Sequence, residues 1–270
     1  MIDLQDKRIY TYGSFLVAFI LLATTTYSFF QKPKYETIGN SNTEKQESQV
    51  DKTSTKTYPK PDISTTFSTL RKDNYSIKIF NLVGLPESVQ SVVFADIEKK
   101  KMGFIGRYKG GENIVSLEGE TPQIYQADKY VSIVMYFSEY NLGELAQRTL
   151  LCWTYDSEKE KIVSLSQILE AEETTLFEYL ASAVRPSLVT TILEKMDNSG
   201  INTKEMLVKV SEDVAEKLKP EGKNFSNWYL KDGQIYFIFD IKTFLSDFSG
   251  NIDVPISISG AKLYFKNHTK

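Results

Sequence analysis

The sequence predicts an α+β fold, an antiparallel sheet with helices packed on one face, preceded by one transmembrane helix. Three observations predict it. The 21 residues from Tyr10 to Phe30 carry no charge. Runs with strand alternation, Tyr75 to Phe80 near one end and Ile252, Val254, Ile256 and Ile258 near the other, bracket the remaining chain. Between them lie segments whose apolar residues recur at helical spacing. Strands, then helices, then strands is the order of an α+β domain.

The uncharged stretch is long enough to cross a membrane, since a helix rising 1.5 Å per residue reaches roughly 30 Å over that length. Tyr10, Tyr12, Tyr27, Phe29 and Phe30 crowd its ends, where amphipathic rings settle at headgroups. Thr24 to Phe30 offers no small-x-small cleavage site, so residues 10–30 are expected to stay in the lipid bilayer rather than leave as a signal peptide. Lys7 and Arg8 balance Lys32 and Lys34, so flanking charge gives no orientation. Residues 1–9 are too few to fold. The expected topology is a short cytoplasmic tail, a single-pass anchor in the cell membrane and an extracellular C-terminal domain. Residues 31–66, rich in Lys, Thr, Ser and Glu, cannot bury enough surface to offset chain entropy. They are expected to form a disordered linker reaching roughly 30–35 Å.

The rest divides into a small α+β lobe, 67–145, and a C-terminal α+β domain, 146–266. Net charge −3 and a pI near 5.5 argue against nucleic acid as a partner, because phosphate backbones demand a basic footprint. A single cysteine, Cys152, excludes an internal disulfide framework and sits in an apolar strand-like run. After the strand Tyr75–Phe80, Pro86 opens a helix with Val89, Val92, Val93 and Ile97 on one face, ending near Gly103 to Gly106. Ile114–Leu117 and Ile124–Tyr125 are short strands. Tyr130–Phe137 and Arg148–Tyr155 are longer ones, joined as a hairpin through Asn141-Leu-Gly143. Two or three helices span Glu172 to Met196, with a break at Pro186. Thr203–Leu218 is a further helix with a stripe of Leu207, Val210, Val214 and Leu218, stopped by Pro220. Trp228 to Asp240 is a hairpin about Asp232-Gly233, the pair that supplies positive φ to a type I′ turn, with Ile235, Phe237 and Phe239 on one face.

Tyr155-Asp156 with a charged turn, Ile162 to Leu169, the helices, Asn224 to Phe239, and Gly250-Asn-Ile-Asp-Val-Pro-Ile256 follow one another in a familiar order. The chain resembles the extracytoplasmic C-terminal domain of lysozyme-sensing anti-sigma factors of Gram-positive bacteria. The same module precedes the catalytic domain in several membrane-anchored peptidoglycan deacetylases. Leu85-Pro86 with its helix and Tyr130–Phe137 are similar to the small domain that accompanies it, so the resemblance covers about residues 75–265. The family's turn with tyrosine and proline is replaced here by Ile241 to Ser249. The resemblance implies neither relative's whole activity. An anti-sigma factor needs a cytoplasmic domain ahead of its anchor, and such a deacetylase holds a metal with one aspartate and two histidines. His268 is the single histidine, expected in a frayed tail.

Other chemistry is equally sparse. One histidine leaves no Ser-His-Asp or Cys-His arrangement, and the nucleophile elbow and phosphate loop are absent. Ser259-Gly-Ala-Lys262 matches Ser-x-x-Lys but is expected to close a strand, where that motif has no function. Glu118, Glu120, Glu172 and Glu173 keep open a carboxylate-dependent cell-wall hydrolase. The favoured expectation is a non-catalytic cell-envelope module without cofactor or metal, binding peptidoglycan or a lysozyme-like protein. The runner-up to both is a purely structural spacer. Trp228, Tyr229 and Tyr236 in the hairpin, and Phe244, Asp247 and Phe248 in the turn from Asp240 to Gly250, are the candidate binding residues.

Overall fold

The computed structural model describes residues 58–72, 74–108, 114–141, 146–197, 204–246, 248 and 250–268. The expected tail, anchor and most of the linker lie outside the described residues. Among the described residues no helix is long and apolar enough to cross a membrane.

Order begins earlier than composition suggests. Strand β1 (Ser64–Arg71) pairs antiparallel with β2 (Tyr75–Val83) along its whole length. Just before it, Tyr58 Oη donates to Glu158 at 3.3 Å and Pro59 O accepts from Gln126 at 3.0 Å. The linker therefore does not extend to residue 66. Almost every β1 side chain is exposed, so the strand is held by main-chain bonds that its polar composition does not announce.

Helix α1 (Glu87–Tyr108) carries the chain from β2 to β3 (Val115–Gly119), which pairs with β2 in parallel. A parallel pair requires such a crossover. Then follow β4 (Gln123–Ala127), β5 (Tyr130–Asn141), β6 (Gln147–Asp156) and β7 (Lys161–Ile162). The sheet runs β1-β2-β3-β5-β6-β7, with β4 also paired to β5. It is thus mixed, mostly antiparallel, rather than wholly antiparallel as expected. The expected lobe boundary at 145/146 falls inside the β5–β6 hairpin, and the change of sheet comes after Ile162.

The second half contains α2 (Leu165–Leu169), α3 (Glu173–Asp197), α4 (Lys204–Lys217), β8 (Trp228–Lys231), β9 (Gln234–Asp240), β10 (Asn251–Ser257) and α5 (Ile258–His268). Its three strands form a separate antiparallel sheet, β10-β9-β8. Asp232 and Gly233 take φ of 50° and 72°, as the turn between β8 and β9 requires. Helix α3 runs unbroken through Pro186. Pro186 and Ser182 are both exposed, so the carbonyl that loses its donor meets water instead of the core. Ile258 begins a helix instead of extending β10, because Ser257 Oγ accepts from Gly260 N–H at 3.3 Å and caps it. His268 accordingly closes a helix, with Nδ1 2.8 Å from Tyr264 O, and is not part of a frayed tail. Ser259-Gly-Ala-Lys262 opens that helix instead of closing a strand, and Lys262 Nζ is taken by Glu170 at 2.6 Å.

Each sheet has its own core. Val89, Val93, Ile97 and Phe104 of α1 cover Ile77, Leu117, Ile133, Met135 and Phe137 of the first sheet. Val92, expected on that face, is exposed. Leu180, Val184, Leu188, Val210 and Val214 cover Leu230, Ile235, Phe237 and Val254 of the second. Leu207 stands at the exposed margin of its stripe. A third cluster, Val134, Tyr136, Tyr229 and Ile238, joins the outer faces of the two sheets. With both faces covered, β5 is buried continuously from Val131 to Glu139.

Candidate functional site

The predicted binding residues separate into three places. Tyr229 and Tyr236 lie in the seam between the sheets, where Tyr125 stacks on Tyr229 at 4.5 Å and Tyr229 on Tyr236 at 5.0 Å. Tyr229 Oη donates to Asp253 Oδ2 at 3.0 Å. Burial, and then the charge of Asp253, push the Tyr136 hydroxyl up to about 12 and raise those of Tyr125 and Tyr229. Burial likewise raises the Cys152 thiol. These rings are spent on each other. Tyr229 is buried, not an exposed platform, because β8 is sandwiched between its own sheet and β5.

Phe244 is also buried. After β9 the chain makes a 3₁₀ turn, Ile241–Thr243, capped by Asp240, and Phe244 drops against Phe239 with ring centroids 6.1 Å apart. Phe248 is half-buried beside it, and Asp247 lies outside the described residues. Phe244 and Phe248 line a cleft of about 270 Å³ against α4, together with Lys209, Asp213, Lys217 and Lys242. The expected contact surface for a cationic lysozyme-like protein is therefore locally cationic.

Trp228 belongs to a different cleft, of about 280 Å³, between the end of the first sheet and the helices of the second. Trp153, Trp228, Phe177 and Phe225 provide aromatic walls. Thr154, Ser164, Ser166, Ser226 and Glu173 provide polar ones. Local structure places each of them. Ser164 caps α2 in a reciprocal capping box with Gln167, which brings Ser166 within 2.8 Å of the Ser164 hydroxyl. Glu173 opens α3, where the helix dipole favours a carboxylate. Gly222 begins a 3₁₀ turn so close to Phe177 that an added Cβ would stand 3.1 Å from the ring.

The two tryptophans differ in a way that matters. Trp153 Nε1 donates to Asp96 at 2.9 Å and is buried. The Trp228 indole N–H has no acceptor among the described residues and is not sealed from solvent. An aromatic face, an open donor and an open carboxylate can stack on a sugar ring and bond its hydroxyls. Sequence reasoning singled out Trp228 but not Phe177, Gly222 and the serine pair that share its cleft. The capping box was the one readable signal.

A further cleft, of about 330 Å³, lies between α3 and α5 beside Tyr179, Tyr264 and His268. There Tyr264 stacks on Tyr179 at 4.4 Å and on His268 at 4.2 Å, so its rings are already paired. Among the described residues no group of three or more His, Cys, Asp or Glu is arranged to hold a metal ion.

No family model matches the chain. No curated protein matches it either. Two solved structures to which it is similar are DUF3298 family proteins. One from Pseudomonas aeruginosa is 12% identical, covering 73% of this chain and 91% of its own, with a TM-score of 0.45. Another, from Bacteroides fragilis, is 14% identical, covering 74% and 90%, with a TM-score of 0.39.

Proposed function

We propose that this chain is a membrane-anchored, extracytoplasmic, non-catalytic module that binds a glycan of the cell envelope in the cleft beside Trp228. The observation that carries the proposal is the solvent-open Trp228 indole N–H, without a protein acceptor among the described residues, at the wall of a cleft with Phe177 and the open Glu173 carboxylate. A volume near 280 Å³ suits a ring or two of a saccharide better than a protein surface. Among the described residues Glu173 is the only carboxylate lining that cleft. A two-carboxylate hydrolase would need a second across it, which favours binding over hydrolysis. The similarity to lysozyme-sensing domains agrees with an envelope ligand. Against the lysozyme-like partner stand the three lysines where that contact was expected.

Tryptophan fluorescence tests the reading on the full chain in non-ionic detergent. Both tryptophans line this cleft, but only Trp228 keeps its N–H open, because that of Trp153 is bonded to Asp96. Soluble wall fragments should change the emission saturably, and Trp228→Phe should remove most of that change and weaken binding in calorimetry, while the buried Trp153 keeps its basal emission. Release of reducing ends from the same fragments would instead support the hydrolase. Silence in fluorescence and calorimetry at high micromolar ligand rejects the glycan.

A further inference from the structure

We propose that the cleft between α4 and the turn after β9 is a separate binding site for a phosphate ester. Lys209 and Lys217 reach it from α4, about two helical turns apart, and Lys242 reaches it from the 3₁₀ turn. Asp213 is the only carboxylate lining it among the described residues, so three positive charges face one negative. None of the three lysines is ion-paired among the described residues. Lys217 Nζ is steadied by donating to Phe244 O at 2.9 Å, which points a cation at the cleft without neutralising it.

Such a cluster is unexpected on a chain of net charge −3. Like charges gathered in a cleft repel one another and raise the local concentration of anions. Lysine ammonium groups bind phosphate as compact point charges that can surround a tetrahedral oxyanion, without the bidentate fork that arginine offers to carboxylate and phosphate alike. Phe244 and Phe248 give the cleft an apolar wall for the carbon body of an ester. A lipid headgroup and a soluble polyol phosphate share this chemistry. The site is independent of the Trp228 cleft.

Lysine acetylation read by mass spectrometry tests the proposal. The full chain in non-ionic detergent is labelled with and without sn-glycerol 3-phosphate, with glycerol as the uncharged control. In parallel it is reconstituted into phosphatidylglycerol or phosphatidylcholine vesicles. Lys262, tied to Glu170, is the internal reference. Lys209, Lys217 and Lys242 should be protected several-fold and saturably by the phosphate, not by glycerol, and the protection should fade with salt. Protection confined to phosphatidylglycerol vesicles supports the site and assigns the phosphate to a headgroup. The double variant Lys209→Glu, Lys242→Glu changes exposed side chains, should melt like the parent, and should lose the protection of Lys217. Unchanged labelling in both arms, or protection of Lys217 that survives in the double variant, overturns the proposal.

Discussion

Asp253 pushes the ionisation of Tyr136 and Tyr229 together to higher pH, second in each case to burial. A tyrosine with a raised folded value stays neutral in the native state. Its contribution is complete below the ordinary value of 10 and is lost as pH climbs through the folded value, about 12 for Tyr136. Alkaline difference spectroscopy should therefore show a late class of tyrosines that ionises only as the protein unfolds. Asp253→Asn removes the smaller contribution and leaves burial, so the late class should titrate earlier without reaching the ordinary value. An unmoved late class would mean that Asp253 is not coupled to the seam. The mirror case is Glu139, which bonds Lys100 at 2.7 Å and Arg107 at 2.6 Å. Burial is the largest influence and raises it, but the two cations together outweigh burial and hold it below the usual 4.5. Its stabilisation is present above that value and is lost as pH falls through the lower folded one. Glu139→Gln should cost about 1–3 kcal/mol in urea denaturation at pH 7, with a smaller difference at pH 3. Equal losses at both pH values would contradict the ionic account.

Elements were legible where the local chemistry allows one outcome. Asp232-Gly233 admits a tight turn and little else, and Ile235, Phe237 and Phe239 can share only the inner face. The helix through Pro186 was not legible, because whether a proline ends a helix depends on whether the orphaned carbonyl can reach water, a tertiary fact. Strand β1 was hidden for a related reason, since its polar residues resemble linker while its backbone completes an edge. The clefts were the least legible. Trp228 has a large ring in a hairpin, but Phe177, Ser166 and Glu173 come from separate elements that only the packing of the helices brings together. The proline offers a direct check. Pro186→Ala restores an amide donor at an exposed position within α3 and should stabilise the protein by up to about 3 kcal/mol in urea denaturation. A destabilised variant would show that the proline shapes α3 in a way the helix needs.

At the scale of the whole molecule, the question is what holds two sheets with separate cores as one body. One answer is a buried knot: Ser132 Oγ lies 2.8 Å from Thr154 Oγ1 across β5 and β6, and accepts the Leu230 N–H of β8 at 2.9 Å. That amide sits where the edge of the second sheet meets the face of the first, so no strand can take it. Ser132→Ala leaves the amide buried without its acceptor, a loss of about 1–3 kcal/mol. It should act on the seam before it acts on either core, since neither α1 nor α3 touches the serine through a hydrogen bond. The single cysteine provides the reporter. Cys152 lies in that seam, packed against Val134, Tyr136, Tyr229 and Ile238, and burial keeps its thiol protonated and slow to react. In Ser132→Ala, maleimide should reach Cys152 faster than in the parent. Amide exchange should rise at Leu230 while Leu117 and Ile133, deep in the first core, keep their protection. Labelling that accelerates only in step with global unfolding would show that the sheets separate solely when the whole fold does.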